Sequence, residues 1–268
     1  MNAPKSARSL LLAPVRAAYA LWALLAFLAV GLGALLLLVV LPGVDRRRAA
    51  AARTFLRLAG MPLSVEFPER LPPGQCVVVC NHASYLDGIV LTAALPPRFG
   101  FVIKREMAGV PFAGALLKRL GSEFVERFDR HRGARDARRV LRNATQGHSL
   151  VFFPEGTFTR TPGLLKFHTG AFASATRANC PLVPVVLRGT RRALPPSGAL
   201  PRPGPLQMEL LPPLTPVPAR GEHAVPELRD RARAAILAAL GEPDLTCCDD
   251  TDPPPGTAPA KSARASRP

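Results

Sequence analysis

The chain reads as an α/β protein with a mixed, largely parallel sheet flanked by helices, behind an N-terminal membrane helix or re-entrant helical hairpin. Three observations predict this. Short apolar runs rich in β-branched residues alternate with helix-like stretches through the middle of the chain, the pattern of strands joined by crossover helices. The run from Ala17 to Leu41 carries no charge over 25 residues. Polar clusters fall where the apolar runs stop, which is where an α/β sheet presents its sites.

Taken in order, residues 1–44 form the anchor. As a helix the uncharged run would reach about 37 Å, against a hydrocarbon core of about 30 Å, and it is too long for the apolar part of a cleaved leader, about 7 to 15 residues. Tyr19 and Trp22 stand where an interfacial belt would fall, and Gly31 with Gly33 would allow a break into two half-helices that re-enter the same face. Lys5, Arg8 and Arg16 precede the run while Arg46, Arg47, Arg48, Arg53 and Arg57 follow it, a bias that favours a cytoplasmic body. Residues 45–60 read as a basic amphipathic helix, with Phe55, Leu56 and Leu58 among arginines, suited to anionic headgroups or to an ordinary solvated face.

The body spans residues 61–242. Strands are expected near 75–80, 99–104, 122–126, 149–153 and 182–188, and helices near 86–94, 108–120, 132–146 and 168–178. Nine prolines between Leu194 and Pro218 limit Leu206–Leu211 to an edge strand at most. A last helix covers 224–240, and residues 243–268 read as a disordered, proline-rich tail. No internal repeat is visible.

Thirty-five Lys and Arg against 19 Asp and Glu give a net charge of +16, a field that draws nucleic acid, anionic lipid or acidic protein. The five cysteines, Cys76, Cys80, Cys180, Cys247 and Cys248, show neither metal spacing nor a disulfide framework, so no metal site is expected and a reducing compartment fits.

The chemistry centres on Cys80-Asn81-His82-Ala83-Ser84-Tyr85-Leu86-Asp87. Residues five apart on one helix point roughly 140° away from each other, so His82 and Asp87 meet only if His82 lies before a helix whose first turn holds Asp87. Two readings stand. Ser84 to Asp87 fits a capping box, with Ser84 as N-cap; alternatively Asp87 fixes one tautomer of His82 and leaves the other ring nitrogen as a general base. Further clusters end later strands: Lys104-Arg105-Glu106, Gly121 to Arg127, and Phe153-Pro154-Glu155-Gly156-Thr157-Phe158-Thr159-Arg160. In the last, Gly156 lets backbone approach a ligand closely, and Arg160 offers a fork suited to phosphate.

With these residues in order, the sequence resembles the glycerophospholipid acyltransferases of the 1-acylglycerol-3-phosphate acyltransferase type. Asn81 to Asp87 resembles their His-x4-Asp block, Gly121 to Arg127 the second, Phe153 to Thr157 with Arg160 the third, and Leu182-Val183-Pro184-Val185 the fourth, across roughly residues 60–215. Family members often carry Ser-Arg after Pro-Glu-Gly-Thr, where this chain has Phe158-Thr159-Arg160, and His168 stands where Lys or Arg is common. The resemblance implies a glycerol-3-phosphate acyltransferase-like fold and transfer of an acyl group from a thioester to the hydroxyl of a lysophospholipid, giving phosphatidic acid from 1-acylglycerol 3-phosphate. It implies His82 as base and Asp87 as its orienting partner. Arg127, Glu155, Gly156, Thr157, Arg160 and, as helper, Lys104 would hold the acceptor. No bound cofactor or metal is implied; acyl-CoA or acyl carrier protein is the co-substrate, and membrane lipids are the surroundings, at a bacterial inner membrane with the body facing the cytoplasm. The altered third block keeps another acceptor open, such as a lyso-amino-acid lipid.

Other classes fare worse. A lipase or thioesterase would use a G-x-S-x-G elbow, and Gly147-His148-Ser149-Leu150-Val151 lacks its second glycine. A membrane-tethered basic binding protein would explain the charge, yet only 6% of residues are aromatic and no nucleic-acid motif interleaves them with the basic ones.

Overall fold

The computed structural model describes residues 13–40, 45–110, 113–119, 122–126, 130–196, 201–216 and 223–246. Its centre is a seven-stranded sheet in the order β1-β7-β6-β2-β5-β3-β4. The strands are β1 (Leu63–Glu66), β2 (Val77–Cys80), β3 (Phe99–Lys104), β4 (Glu123–Val125), β5 (Ser149–Phe152), β6 (Leu182–Arg188) and β7 (Leu206–Leu210). Every pairing is parallel except that of β6 with β7. The helices are α1 (Ala13–Val40), α2 (Asp45–Leu58), α3 (Leu86–Ala94), α4 (Ala113–Arg119), α5 (Arg130–Thr145), α6 (Gly170–Ala178), α7 (Thr190–Ala193) and α8 (Ala224–Leu240). The mixed, mostly parallel sheet between helices is as expected.

Strand alternation sorts β2 between two cores. Cys76, Val78 and Cys80 face a cluster built by α1, α2 and α3, whereas Val77 and Val79 face a second cluster built by α5, α6 and α8. Because β2 is buried on both faces, it reads in sequence as a continuous apolar run.

Two expectations about the body need correction. Leu206–Leu210 is not an edge strand, because the short β1 pairs with its outer side. The prolines flank the strand rather than interrupt it. Pro184 sits inside β6 without breaking the sheet: its carbonyl accepts from Leu211, one residue past the end of β7, so the donor it lacks falls outside the ladder. The chain from Pro243 does not leave the body at once, since Asp244 bridges to Leu164 and pairs with Arg233; the tail from Cys247, with Cys248, lies outside the described residues.

The N-terminal region differs most. α1 is one continuous helix through Gly31 and Gly33. Ala20, Ala23 and Ala26 are buried, small enough at their spacing to let another helix approach, and α1 packs against α2. Tyr19 and Trp22 do not form a belt: the Tyr19 hydroxyl donates to the carbonyl of Ala59 (2.5 Å) and the Trp22 indole to that of Leu58 (2.8 Å). Among the described residues no helix is long and apolar enough to cross a membrane. α2 is not merely a surface helix either. Phe55 and Leu56 enter the core, Arg48 caps the carbonyls of Pro97 and Phe99, and Arg53 donates to Ala93 (2.7 Å). Two of its arginines therefore hold the body instead of facing headgroups.

Candidate active site

The carboxyl ends of three neighbouring strands, β5, β2 and β6, build the site. The loop after β2 is pinned first. Asn81 donates through Nδ2 to the carbonyl of Leu187 (3.0 Å) and accepts from its amide (2.8 Å), so its side chain acts as a strand extension against β6. Ser84 Oγ donates to the carbonyl of Leu194 (2.8 Å). Between these staples lies His82.

Asp87, 0% exposed, points Oδ2 back at that loop. It accepts from His82 Nδ1 (2.8 Å) and from the amides of Ala83 (2.7 Å) and Ser84 (2.9 Å). The helix begins at Leu86 with Tyr85 as N-cap and no side-chain cap. Ser84 therefore stands one residue before the cap position expected of it, and Asp87 falls on the second helical residue. One oxygen thus orders the loop and orients the imidazole together. A carboxylate at Nδ1 places the ring proton there and leaves Nε2 as the free base nitrogen. The ring plane is fixed by Phe153, stacked at 4.1 Å between centroids, and by Phe158, edge-on at 4.5 Å. The His82 side chain retains 18% exposure, enough for a substrate to reach it.

Glu155 turns inward. It is 4% exposed, and its oxygens accept from the backbone amides of His82 (2.6 Å) and Leu165 (2.9 Å). Burial pushes its carboxyl up to about 8, aided by the charge of Asp87, while the two amide donors and Arg191 pull the other way. It ties the base loop to the segment beyond the turn rather than offering an open ligand group. The next residue, Gly156, has φ 76°, a left-handed conformation that glycine adopts without strain.

Of the remaining expected residues, Thr157 is half-buried beside Phe158, and Arg160 is exposed along a pocket shared with Arg191 and Arg192. Lys104 closes β3, two strands from β2. Arg127 lies outside the described residues. Sequence reasoning missed Phe153 and Phe158 as walls of the imidazole slot, and Arg191, which donates from Nη1 to the carbonyl of Thr159 (2.7 Å). Its only local signal was Gly189-Thr190-Arg191-Arg192 after an apolar strand, with Gly189 at φ 89°.

No side chain in this arrangement serves as a nucleophile. Cys80 is fully buried, its thiol raised well above its ordinary value by desolvation and by the charges of Asp87 and Glu155. The Ser84 hydroxyl is buried and committed to Leu194 and Leu86. Among the described residues no cluster of ligands could hold a metal ion.

Comparison with known proteins agrees with this geometry. The family model described as Acyltransferase matches residues 62–188. The 1-acyl-sn-glycerol-3-phosphate acyltransferase of Haemophilus influenzae is 31% identical over 149 residues, covering 53% of this chain and 62% of the relative. The 1-acyl-sn-glycerol-3-phosphate acyltransferase alpha of Homo sapiens is 32% identical over 193 residues, covering 69% of this chain and 66% of the relative. The chain thus spans under two thirds of the length of either. The crystal structure of the 1-acyl-sn-glycerophosphate acyltransferase PlsC from Thermotoga maritima superposes with a TM-score of 0.71 at 20% identity, over 84% of this chain and 95% of that one, a likeness of fold. The matched segment carries β2, β5 and β6 with the His82–Asp87 pair between them, and over residues 62–188 the chain is similar to the acyltransferase family.

Proposed function

We propose that the protein is an O-acyltransferase that moves a fatty acyl group from an acyl thioester to the free hydroxyl of a lysophospholipid, with 1-acylglycerol 3-phosphate as acceptor and phosphatidic acid as product. One observation carries this reading: His82 is an oriented base with a partly exposed side chain, while among the described residues Cys80 and Ser84, two positions to either side of it, are buried and do not serve as a nucleophile. The attacking oxygen must then belong to a substrate. Nε2 removes the proton of the acceptor hydroxyl as that oxygen attacks the thioester carbonyl. The Asp87 carboxylate stabilises the imidazolium, and the proton passes to the departing thiolate as the carbon–sulfur bond breaks. Acyl-CoA or acyl carrier protein supplies the thioester, and no covalent acyl-enzyme is formed.

The outer side of α1 supports association with a membrane surface. Val15, Leu21, Leu24, Leu25, Leu28 and Leu32 are exposed along it, an apolar surface too large for a solvated helix. We place this surface in the lipid, with the body at the cytoplasmic side of a bacterial inner membrane.

The test is transfer by the detergent-solubilised full-length protein from acyl-CoA and acyl carrier protein thioesters to lysophosphatidate, followed by mass. His82→Ala is expected to lower turnover about 10² to 10⁴-fold with an unchanged melting temperature. A folded His82→Ala protein that turns over normally would remove the base from the mechanism. Absence of transfer by the wild-type protein from either donor to any lysolipid would sink the reading itself.

A further inference from the structure

The loop after Glu155 and the turn after β6 enclose an open pocket of about 430 Å³ lined by Arg160, Arg191, Arg192, Glu242 and the Pro195-Pro196 turn. Its two walls are tied to the loop that carries the base. The turn that carries Arg191 and Arg192 is held on one side by the Asn81–Leu187 pair and on the other by Ser84 against Leu194, so it lies along the His82 loop. The opposite wall is the loop whose Phe158 packs edge-on against the His82 ring.

Charge separates the three arginines. Arg191 is a strut: Nη1 donates to the carbonyls of Thr159 (2.7 Å) and Thr161 (3.3 Å), and Nη2 pairs with Glu242 (3.3 Å). That pair cancels the carboxylate in the lining. Arg160 and Arg192 are exposed and have no hydrogen bond or ion pair among the described residues, so the pocket keeps two uncompensated guanidinium groups. By contrast, the arginine-lined hollow at Arg105, Arg135 and Arg139 is balanced by Asp136, Glu123 and Glu126 and has no surplus for an anion.

We infer that this pocket takes the head group of the acceptor, and that Arg192, which no sequence block marks, shares with Arg160 the recognition of its phosphomonoester. Two planar forks beside a rigid turn suit a dianionic phosphate, whose oxygens accept paired N–H donors. Arg191 positions both by fixing the Thr159–Thr161 loop to the turn. The inference rests on the acyl-transfer reading and adds the residues that set its acceptor.

The experiment compares lysophosphatidate with monoacylglycerol of the same chain, using the full-length protein in detergent. Both guanidinium groups are solvent-exposed, so the low end of the range for charge-assisted bonds applies. Arg192→Ala should reduce kcat/KM for lysophosphatidate roughly tenfold, mainly through KM. The donor KM and the slower transfer to monoacylglycerol should stay unchanged, and Arg192→Lys should recover only part of the loss. A second readout needs no turnover: glycerol 3-phosphate should raise the melting temperature of the wild type and not that of Arg192→Ala. Equal loss for both acceptors, or no loss with protection by glycerol 3-phosphate intact, overturns the inference. Failure of the wild type to acylate either acceptor strikes the acyl-transfer reading instead, and the protection measurement then decides the pocket alone.

Discussion

Replacing Glu155 with Gln should change the way stability depends on pH, not only its level. In the native protein burial holds this carboxyl at about 8, against about 4.3 in an unfolded chain. Between those values the folded state keeps a proton that the unfolded state has released. The favourable contribution is therefore complete below about pH 4.3 and is lost as pH rises through 8. The slope from this one group reaches about 1.4 kcal/mol per pH unit, on the order of 5 kcal/mol across the window. Gln cannot titrate, so the slope disappears. Its single oxygen can meet only one of the two amides at His82 and Leu165, and its NH2 then opposes the other at a cost of about 1 to 3 kcal/mol. At pH 5 the variant should be the less stable protein; by pH 8 the deficit should close or reverse. Urea unfolding of both proteins from pH 5 to pH 8 isolates the effect, because the other titrating groups cancel in the difference. A constant offset across that range would show that Glu155 is already charged at pH 5 and that the two amides outweigh its burial.

Asp87→Asn tests whether the buried carboxylate acts by charge or by geometry. Its oxygen can still accept from Ala83, Ser84 and His82, while its NH2 takes the place of Oδ1, which is buried without a partner, so the melting temperature should fall by roughly several degrees while kcat falls about 10² to 10⁴-fold; retained activity would leave Asp87 as a loop cap alone. The double substitution Leu24→Glu and Leu28→Glu, both on the exposed side of α1, should weaken flotation with lipid vesicles at unchanged solution activity toward dispersed acceptor. Undiminished flotation would move the membrane contact elsewhere. High salt should release little of the wild type, because Arg48 and Arg53 of α2 are spent on the carbonyls of Phe99 and Ala93.

The sequence made some features plain because the interactions behind them are local or periodic. β2, β5 and β6 are buried on both faces, so their apolar runs mark them directly. His82 and Asp87 are five residues apart across one strand-to-helix junction, and a single octapeptide held the whole pair. β1 left little trace, since Leu63 to Glu66 is short and half solvated; without it β7 looked like an edge. α7 is four residues long, below any periodic signal. Glu155 was assigned to the acceptor because its real partners are backbone amides at His82 and Leu165, and backbone donors have no letter in the sequence. Arg191 escaped for the same reason, with a partner in the carbonyl of Thr159.

The sheet order explains why blocks so far apart in sequence form one site. β2 lies between β5 and β6, parallel to both, with Val79 level with Phe152 on one side and Cys80 level with Val185 on the other. Neighbouring strands are about 4.8 Å apart, so the three chains that leave their carboxyl ends emerge side by side. The first delivers His82, the second Glu155 and Phe158, the third Arg191 and Arg192. Each exit is then cross-tied to the next: Glu155 to the amide of His82, Asn81 to Leu187, Arg191 to Thr159. These ties close a ring around the imidazole through backbone groups. Loss of one of these ties, at Asn81, Glu155 or Arg191, should therefore shift the base itself, even where the altered side chain never touches a substrate.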